Sequence, residues 1–186
     1  TIMEVISATL VVPLTVGIDA VYRQTSESTR YEIRKAGRSQ ITVREGNKQD
    51  LSCFFSLMCE SCKRQGNLVP NPASVEALVR IWDAFAPQGN IRVLFAEHAG
   101  RAISAVLCIL FGNRLSIWKK GMLPDSVRLH AITLLYWAAM ALAARSSLAQ
   151  VDFCSLRRDI AEDLIAGRTL NDEQRCSRDA FHLRFG

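Results

Sequence analysis

Asp152 is a lone carboxylate inside the apolar stretch Val151-Asp-Phe-Cys154, and it is the first residue in this chain that could do acid–base chemistry. Burial raises a carboxylate's affinity for its proton, so such a group could take a proton from an attacking amine. The competing role is an ion pair with Arg157 or Arg158, which would fix the following loop. His182, in the alternating run at 180–185, is the second candidate, since an imidazole changes charge near neutral pH. His98 and His130 have no spacing that ties them to a serine or cysteine nucleophile. Cys59 and Cys62 have a Cys-x-x-Cys spacing, but on a helical pattern with no second pair or His pair after it, so no metal is expected.

A second set of residues could hold an anion. The loop Lys119-Lys120-Gly121-Met-Leu-Pro124-Asp125 leads into a long helical stretch at 126–146, which Asp125 or Ser126 could cap. The free amides of a helix start favour a phosphate, and Lys119, Lys120 and Arg128 would reinforce that site beside Ser126. The alternative is an ordinary capped helix flanked by solvated lysines. Arg30, Arg34, Lys35 and Arg38 fall where a helix gathers them along one side, as a phosphate-binding stripe or as a solvated face.

The elements that must position these residues follow from periodicity. The run at 8–14 reads as a strand that Pro13 confines to a sheet edge. A basic helix at 30–38 and a short strand at 41–43 follow. Leu51, Phe54, Phe55, Met58 and Cys62 share one helix face, and Val75, Leu78, Val79, Trp82 and Phe85 repeat the pattern. Strands at 91–96, 102–111 and 114–118, joined by short turns, predict an antiparallel meander. The middle one is apolar on both faces, so it should be central and covered on both sides. After the long helix come a strand at 150–154, a polar stretch at 155–179 with weak periodicity, and a last strand at 180–185. Trp82, Trp118 and Trp137 read as core.

The chain has 186 residues, 49% of them hydrophobic, which suits one ordinary domain with a substantial core. Its net charge of +5 favours anionic partners without requiring a nucleic acid. The six cysteines lie mostly in apolar runs and read as small buried hydrophobes, which fits a reducing cytoplasm. The longest apolar run, at 129–144, contains His130 and is shorter than a bilayer requires, so no membrane span is expected.

The order of elements predicts an α/β sandwich with a mixed sheet, and the local sequences sharpen it. Arg30-Tyr-Glu-Ile-Arg-Lys-Ala-Gly-Arg38 resembles the Arg-x-x-Ile-Arg-Lys-Ala-x-Arg segment of Fem-like proteins. Glu60-Ser-Cys-Lys-Arg-Gln-Gly66 resembles their Thr-x-x-Arg-x-Gly helix end, Val151-Asp-Phe-Cys154 their Phe-Asp-Phe-Gly strand, and Phe181-His-Leu-Arg-Phe-Gly186 their closing Phe-Lys-x-x-Phe-Gly. The family is that of FemAB- and CelD-type acyltransferases, C-terminal domain. The resemblance implies the GNAT (acyl-CoA N-acyltransferase) fold: a mixed, mostly antiparallel sheet flanked by helices on both faces. It implies a domain at 29–186, with 1–28 as the tail of a preceding GNAT-like domain or a linker with an edge strand.

It also implies transfer of an acyl or aminoacyl group, from acyl-CoA or aminoacyl-tRNA, to an amine of an anionic cell-envelope or polysaccharide precursor. The donor should enter where the strands at 115–118 and 151–154 splay apart. Asp152 and His182 would then be catalytic, Lys119, Lys120, Ser126 and Arg128 would hold the donor, and Arg34, Lys35, Arg157 and Arg158 the substrate. Two departures stand out: Cys154 and His182 replace the usual glycine and lysine, and the glycine-rich phosphate loop has no match between Trp118 and Arg128. The alternative is therefore a non-catalytic binding or scaffolding half of a tandem protein.

Overall fold

β-Branched and aromatic residues are dense between Ile91 and Met122, and the chain makes its longest strands there. A computed structural model describes residues 8–177 and 179–185. β3 (Ile91–His98), β4 (Arg101–Phe111) and β5 (Arg114–Met122) form the expected antiparallel meander. Between β3 and β4, Ala99 and Gly100 both have positive φ, as a tight two-residue hairpin demands.

With β1 (Val11–Pro13), β2 (Thr42–Glu45) and β6 (Gln150–Asp152) these make a six-stranded sheet in the order β1-β6-β5-β4-β3-β2. β5 and β6 are parallel, and the other neighbours are antiparallel. Pro13 lies on the edge strand, where its missing N–H costs the ladder nothing.

Alternation along the strands feeds two cores. Leu94 and Ala96 of β3 and Val106 and Cys108 of β4 face α5 (Ala131–Arg145), α1 (Ile18–Gln24) and α2 (Glu27–Arg38). Val93, Phe95, Ala105 and Leu107 face α3 (Leu51–Arg64) and α4 (Val75–Phe85). β4 is thus covered on both sides, as its apolar sequence requires. Helix starts are fixed by side chains: Ser26 caps α2, Ser74 caps α4, and Asn47 and Asp50 form a reciprocal box ahead of α3.

Three expectations are corrected. β5 runs on through Met122, so Lys119, Lys120 and Gly121 are strand rather than loop, because the ladder continues with Ala105↔Gly121 and Ser104↔Met122. α5 starts at Ala131, not near Ser126: Pro124–Ser126 makes a single 3-10 turn and His130 takes a left-handed backbone (φ 54°) that no helix continues through. The run at 180–185 is no strand but a 3-10 helix, Asp179–Phe185. β1 already occupies the edge beside β6, and the 3-10 turn sends His182 and Phe185, three apart, inward together.

The polar stretch between holds α6 (Arg158–Ile165) and α7 (Asp172–Cys176). They are tied by Gln174, which donates to Asp159 and Asp163, rather than by a long apolar stripe. Within the stretch expected to precede the domain, β1 pairs with β6 and α1 packs in the α5 core. Residues 1–7 of that stretch, and Gly186 of the closing motif, lie outside the described residues.

Gly121 is where α3 comes closest to the sheet. A Cβ there would stand 2.5 Å from the Met58 backbone nitrogen and 2.6 Å from the Leu57 carbonyl carbon. Backbone atoms of a helix cannot step aside as a flexible side chain can, so only glycine fits. Gly121→Ala is expected to destabilise the fold by about 1–3 kcal/mol through overpacking, read as a lower urea midpoint with an unchanged denaturant slope.

Candidate functional site

The sheet opens between β5 and β6. Their parallel ladder runs only from Arg114↔Gln150 to Ser116↔Asp152, while β5 goes on to Met122. Past Asp152 the backbone that follows β6 stays with the N-terminal strand instead: Phe153 N–H donates to the Leu10 carbonyl and Leu156 N–H to that of Ala8. The turn is held by Asp152. Its Oδ1 accepts from the Cys154 backbone N–H at 2.7 Å and from the Thr9 hydroxyl, and its Oδ2 from Arg114 at 3.0 Å. Cys154 sits there with φ 65°, the region that favours glycine. On the opposite side, the β4–β5 register slips between Leu107↔Lys119 and Cys108↔Ile117, leaving Trp118 as a bulge.

The space so opened is a cleft of about 370 Å³. Residues 117–120 of β5 form one wall and residues 153–155 the other, with α3 residues Met58, Ser61 and Cys62 across the mouth. Tyr136 of α5 and His182 of the terminal 3-10 turn lie at its floor, 2% and 3% exposed. Tyr136 stacks on Phe153 (5.2 Å between ring centroids), and His182 stacks on the same ring at 5.2 Å.

Four groups form a chain of hydrogen bonds whose sense is set by chemistry. Lys120 Nζ can only donate, and it reaches Tyr136 Oη at 3.3 Å. The Ser155 carbonyl can only accept, so His182 Nδ1, 3.2 Å away, carries a proton. With a neutral imidazole, Nε2 is then the acceptor for the Tyr136 hydroxyl at 3.3 Å. A proton acceptor is thereby pointed through a phenol towards the cleft. Lys120 also lies over the Tyr136 and Phe181 rings, and Lys119 over Trp118 at 5.0 Å, so both ammonium groups are steered by aromatic faces. Cys154 is exposed on the cleft wall, yet partial burial of its thiol and the Asp152 carboxylate push its pKa up to about 11. It is a neutral thiol at pH 7 rather than an activated nucleophile.

Of the residues singled out in the sequence, His182, Lys119 and Lys120 meet in the cleft. Asp152 stands behind its wall, paired with Arg114 rather than with Arg157 or Arg158. Arg157 bonds Asp159 at 2.8 Å and Glu173 at 3.0 Å, and Arg158 bonds Glu162 at 2.6 Å. Ser126 is buried, with its hydroxyl donating to the Leu123 carbonyl at 2.6 Å, and exposed Arg128 lies near Asp125. Arg34 and Lys35 are exposed on α2, the first donating to the Tyr22 hydroxyl and the second over the Tyr31 ring.

The start of α5 has no glycine-rich turn ahead of it: Ala131 is fully buried, and Gly121, the one glycine between Trp118 and Arg128, is pressed against α3. Sequence reasoning missed Tyr136, which it absorbed into the apolar helix. A phenol inside a run of Leu and Ala is the signal, because a buried hydroxyl needs a partner.

Residues 23–161 match the family model for the acetyltransferase (GNAT) domain. The chain belongs to this GNAT family. Its fold is the one expected from the sequence.

Among solved structures, this GNAT chain is similar to FemX, at 13% identity and a TM-score of 0.74 over 95% of this chain. It is also similar to the C-terminal domain of a putative lysylphosphatidylglycerol synthetase from Agrobacterium fabrum, at 10% identity and a TM-score of 0.61 over 96% of this chain. A third is the PaiA N-acetyltransferase from Thermoplasma acidophilum, solved with coenzyme A, at 16% identity and 0.50 over 59% of this chain and 75% of that one. The chain spans 57% of the FemX chain and 56% of the second. No curated protein matches it. Among the described residues no helix is long and apolar enough to cross a membrane, and no group of three or more His, Cys, Asp and Glu could hold a metal ion.

The raised pKa of Cys154 sets the pH dependence of its alkylation. A thiol reacts as thiolate, so with a pKa near 11 its rate with iodoacetamide should climb about tenfold per pH unit from pH 7 to 10. At pH 8 it should lag an unperturbed thiol by on the order of a hundredfold. Mass spectrometry of the peptide carrying Cys154 measures this, and a plateau near pH 9 would contradict it.

Proposed function

We propose that this chain is the catalytic half of a tandem GNAT protein, transferring an acyl or aminoacyl group to an amine of an anionic cell-envelope or polysaccharide precursor. The donor is a thioester such as acyl-CoA or the ester of an aminoacyl-tRNA. The observation that carries this is the Lys120–Tyr136–His182–Ser155 chain at the floor of the β5–β6 cleft.

The reacting carbonyl lies along β5 beyond Ser116, where the strand has lost its β6 partner. Backbone donors there, with the Lys120 ammonium, stabilise the oxyanion as the amine attacks. The amine's proton passes to Tyr136 Oη as the phenol's own proton moves to His182 Nε2. The tetrahedral intermediate then collapses, the carbon–sulfur or carbon–oxygen bond breaks, and the stored proton returns along the same path to the leaving group. Asp152 is a positioning residue in this scheme: it holds the turn at Cys154, and so the Ser155 carbonyl that orients His182.

Coenzyme A in the PaiA structure supports a thioester donor, and the likeness to FemX supports an aminoacyl one. The chain's share of FemX supports a further GNAT-like domain as its partner. The cysteines are all free, which suits the reducing cytoplasm. A second reading, a binding half whose partner does the chemistry, is favoured by the missing glycine-rich loop ahead of α5, and it fails if this chain alone transfers acyl groups at the rate of the longer protein.

Transfer from acyl-CoA and from charged tRNA to amine acceptors is the direct test, and no transfer from either donor would end the proposal. His182→Gln should lower kcat by about 10²–10⁴-fold with KM little changed. Tyr136→Phe should lower it as well, with the melting temperature of each variant checked. For α2, replacing Arg34 and Lys35 by Ala should weaken tRNA binding at low salt and reduce its salt slope by about 2. A slope equal to the unmutated protein's assigns this face to solvation.

A further inference from the structure

The start of α5, where the resemblance leads one to expect phosphates, is walled by hydrocarbon. Met122 at the end of β5, Val127 ahead of α5, Ile132 in its first turn and Phe181 enclose a second chamber of about 400 Å³. Ser61, Gln65 and Lys120 line both this chamber and the cleft, so the two spaces adjoin at Lys120. Val127 is 53% exposed, an apolar side chain left to water beside other apolar groups. The cations Arg64 and Lys120 stand among these walls. Ser61 holds the arrangement together, its hydroxyl accepting from the Met122 N–H at 2.9 Å and so tying α3 to the end of β5.

We infer that this chamber takes the aliphatic chain of the acyl donor, and that the protein prefers a medium-chain acyl group to acetyl. The inference deepens the acyl-transfer reading and rests on it. Geometry supplies the direction: the carbonyl lies along residues 117–120, and the next residues of the same strand lead past Lys120 to Met122 at the chamber wall. Charge selects the donor over the acceptor. Arg64 and Lys120 attract a carbonyl oxygen and repel an alkylammonium, so a lipid-like amine is disfavoured. Size sets the length. A methylene displaces about as much volume as a water molecule, roughly 30 Å³, so the chamber holds about a dozen.

Isothermal titration of the whole chain with acyl-pantetheines of increasing length tests this, using acetyl, hexanoyl, decanoyl and tetradecanoyl forms, which carry no phosphate. Affinity should rise about threefold to fourfold for each buried methylene through decanoyl and level off as the chain passes about a dozen carbons. Ile132→Trp fills the chamber, and Val127→Asp puts a charge in its wall at a half-exposed position where folding is not at stake. Each should flatten the length dependence and leave acetyl binding unchanged.

Equal affinity for acetyl and decanoyl, or a length dependence that survives both variants, overturns the inference. Decylamine binding tighter than the decanoyl compound also overturns it, by giving the chamber to the acceptor. Binding is read without turnover, so the two readings fail separately. Length dependence without acyl transfer refutes the reaction and keeps the chamber, whereas acetyl transfer without length dependence does the reverse.

Discussion

A carboxylate placed between Val151 and Phe153, in the middle of a sheet, has to find donors or lose its charge. Asp152 finds Arg114 on the neighbouring strand, the Thr9 hydroxyl and the backbone N–H of Cys154. The last of these bends the chain, because an N–H two residues ahead can reach the side chain only if the backbone turns. From that turn β6 stops, the chain follows the N-terminal strand, and β5 continues alone. The opening of the sheet is thus the way one buried charge is satisfied. A carboxylate set in an apolar strand can serve a site without touching what binds there.

The cleft needs walls as rigid as its opening, and two contacts supply them. On one side the missing side chain of Gly121 lets α3 lie against the strand with no intervening layer. On the other, Tyr136, Phe153, Phe185 and His182 stack ring on ring, with centroids 5.2 to 5.7 Å apart. Flat, two-torsion side chains lose little freedom when so packed. The imidazole is therefore held by its faces as well as by its nitrogens.

Much of this was legible in the sequence where it depends on hydrophobic period. The meander, the two α3/α4 faces and the edge role of Pro13 follow from alternation and from the order of elements, and the place of the opening from the family resemblance. What was not legible depends on single backbone torsions or on competition for a place. The left-handed residue at His130 cuts five residues from the start of a helix whose apolar pattern runs on without a break. Alternation at 180–185 fits a strand, but nothing local says that β1 has taken the neighbouring edge. Cys154 was visible as a departure from a glycine, and its φ of 65° gives the reason a glycine is usual. Tyr136 was hidden because the helix around it is apolar throughout and one hydroxyl hardly alters the pattern.

His182 reaches the floor of the cleft from the short turn that follows α7. Every other wall residue, from Met58 on α3 to Ser155, precedes it in the chain. On the ribosome the sheet, its bulge and its opening can all be made while the imidazole is still inside the exit tunnel. The nascent protein passes through a stage in which the cleft has its walls but not this ring. The Asp179–Phe185 turn therefore docks into a space already shaped for it, and the last part of the cleft to form is its floor.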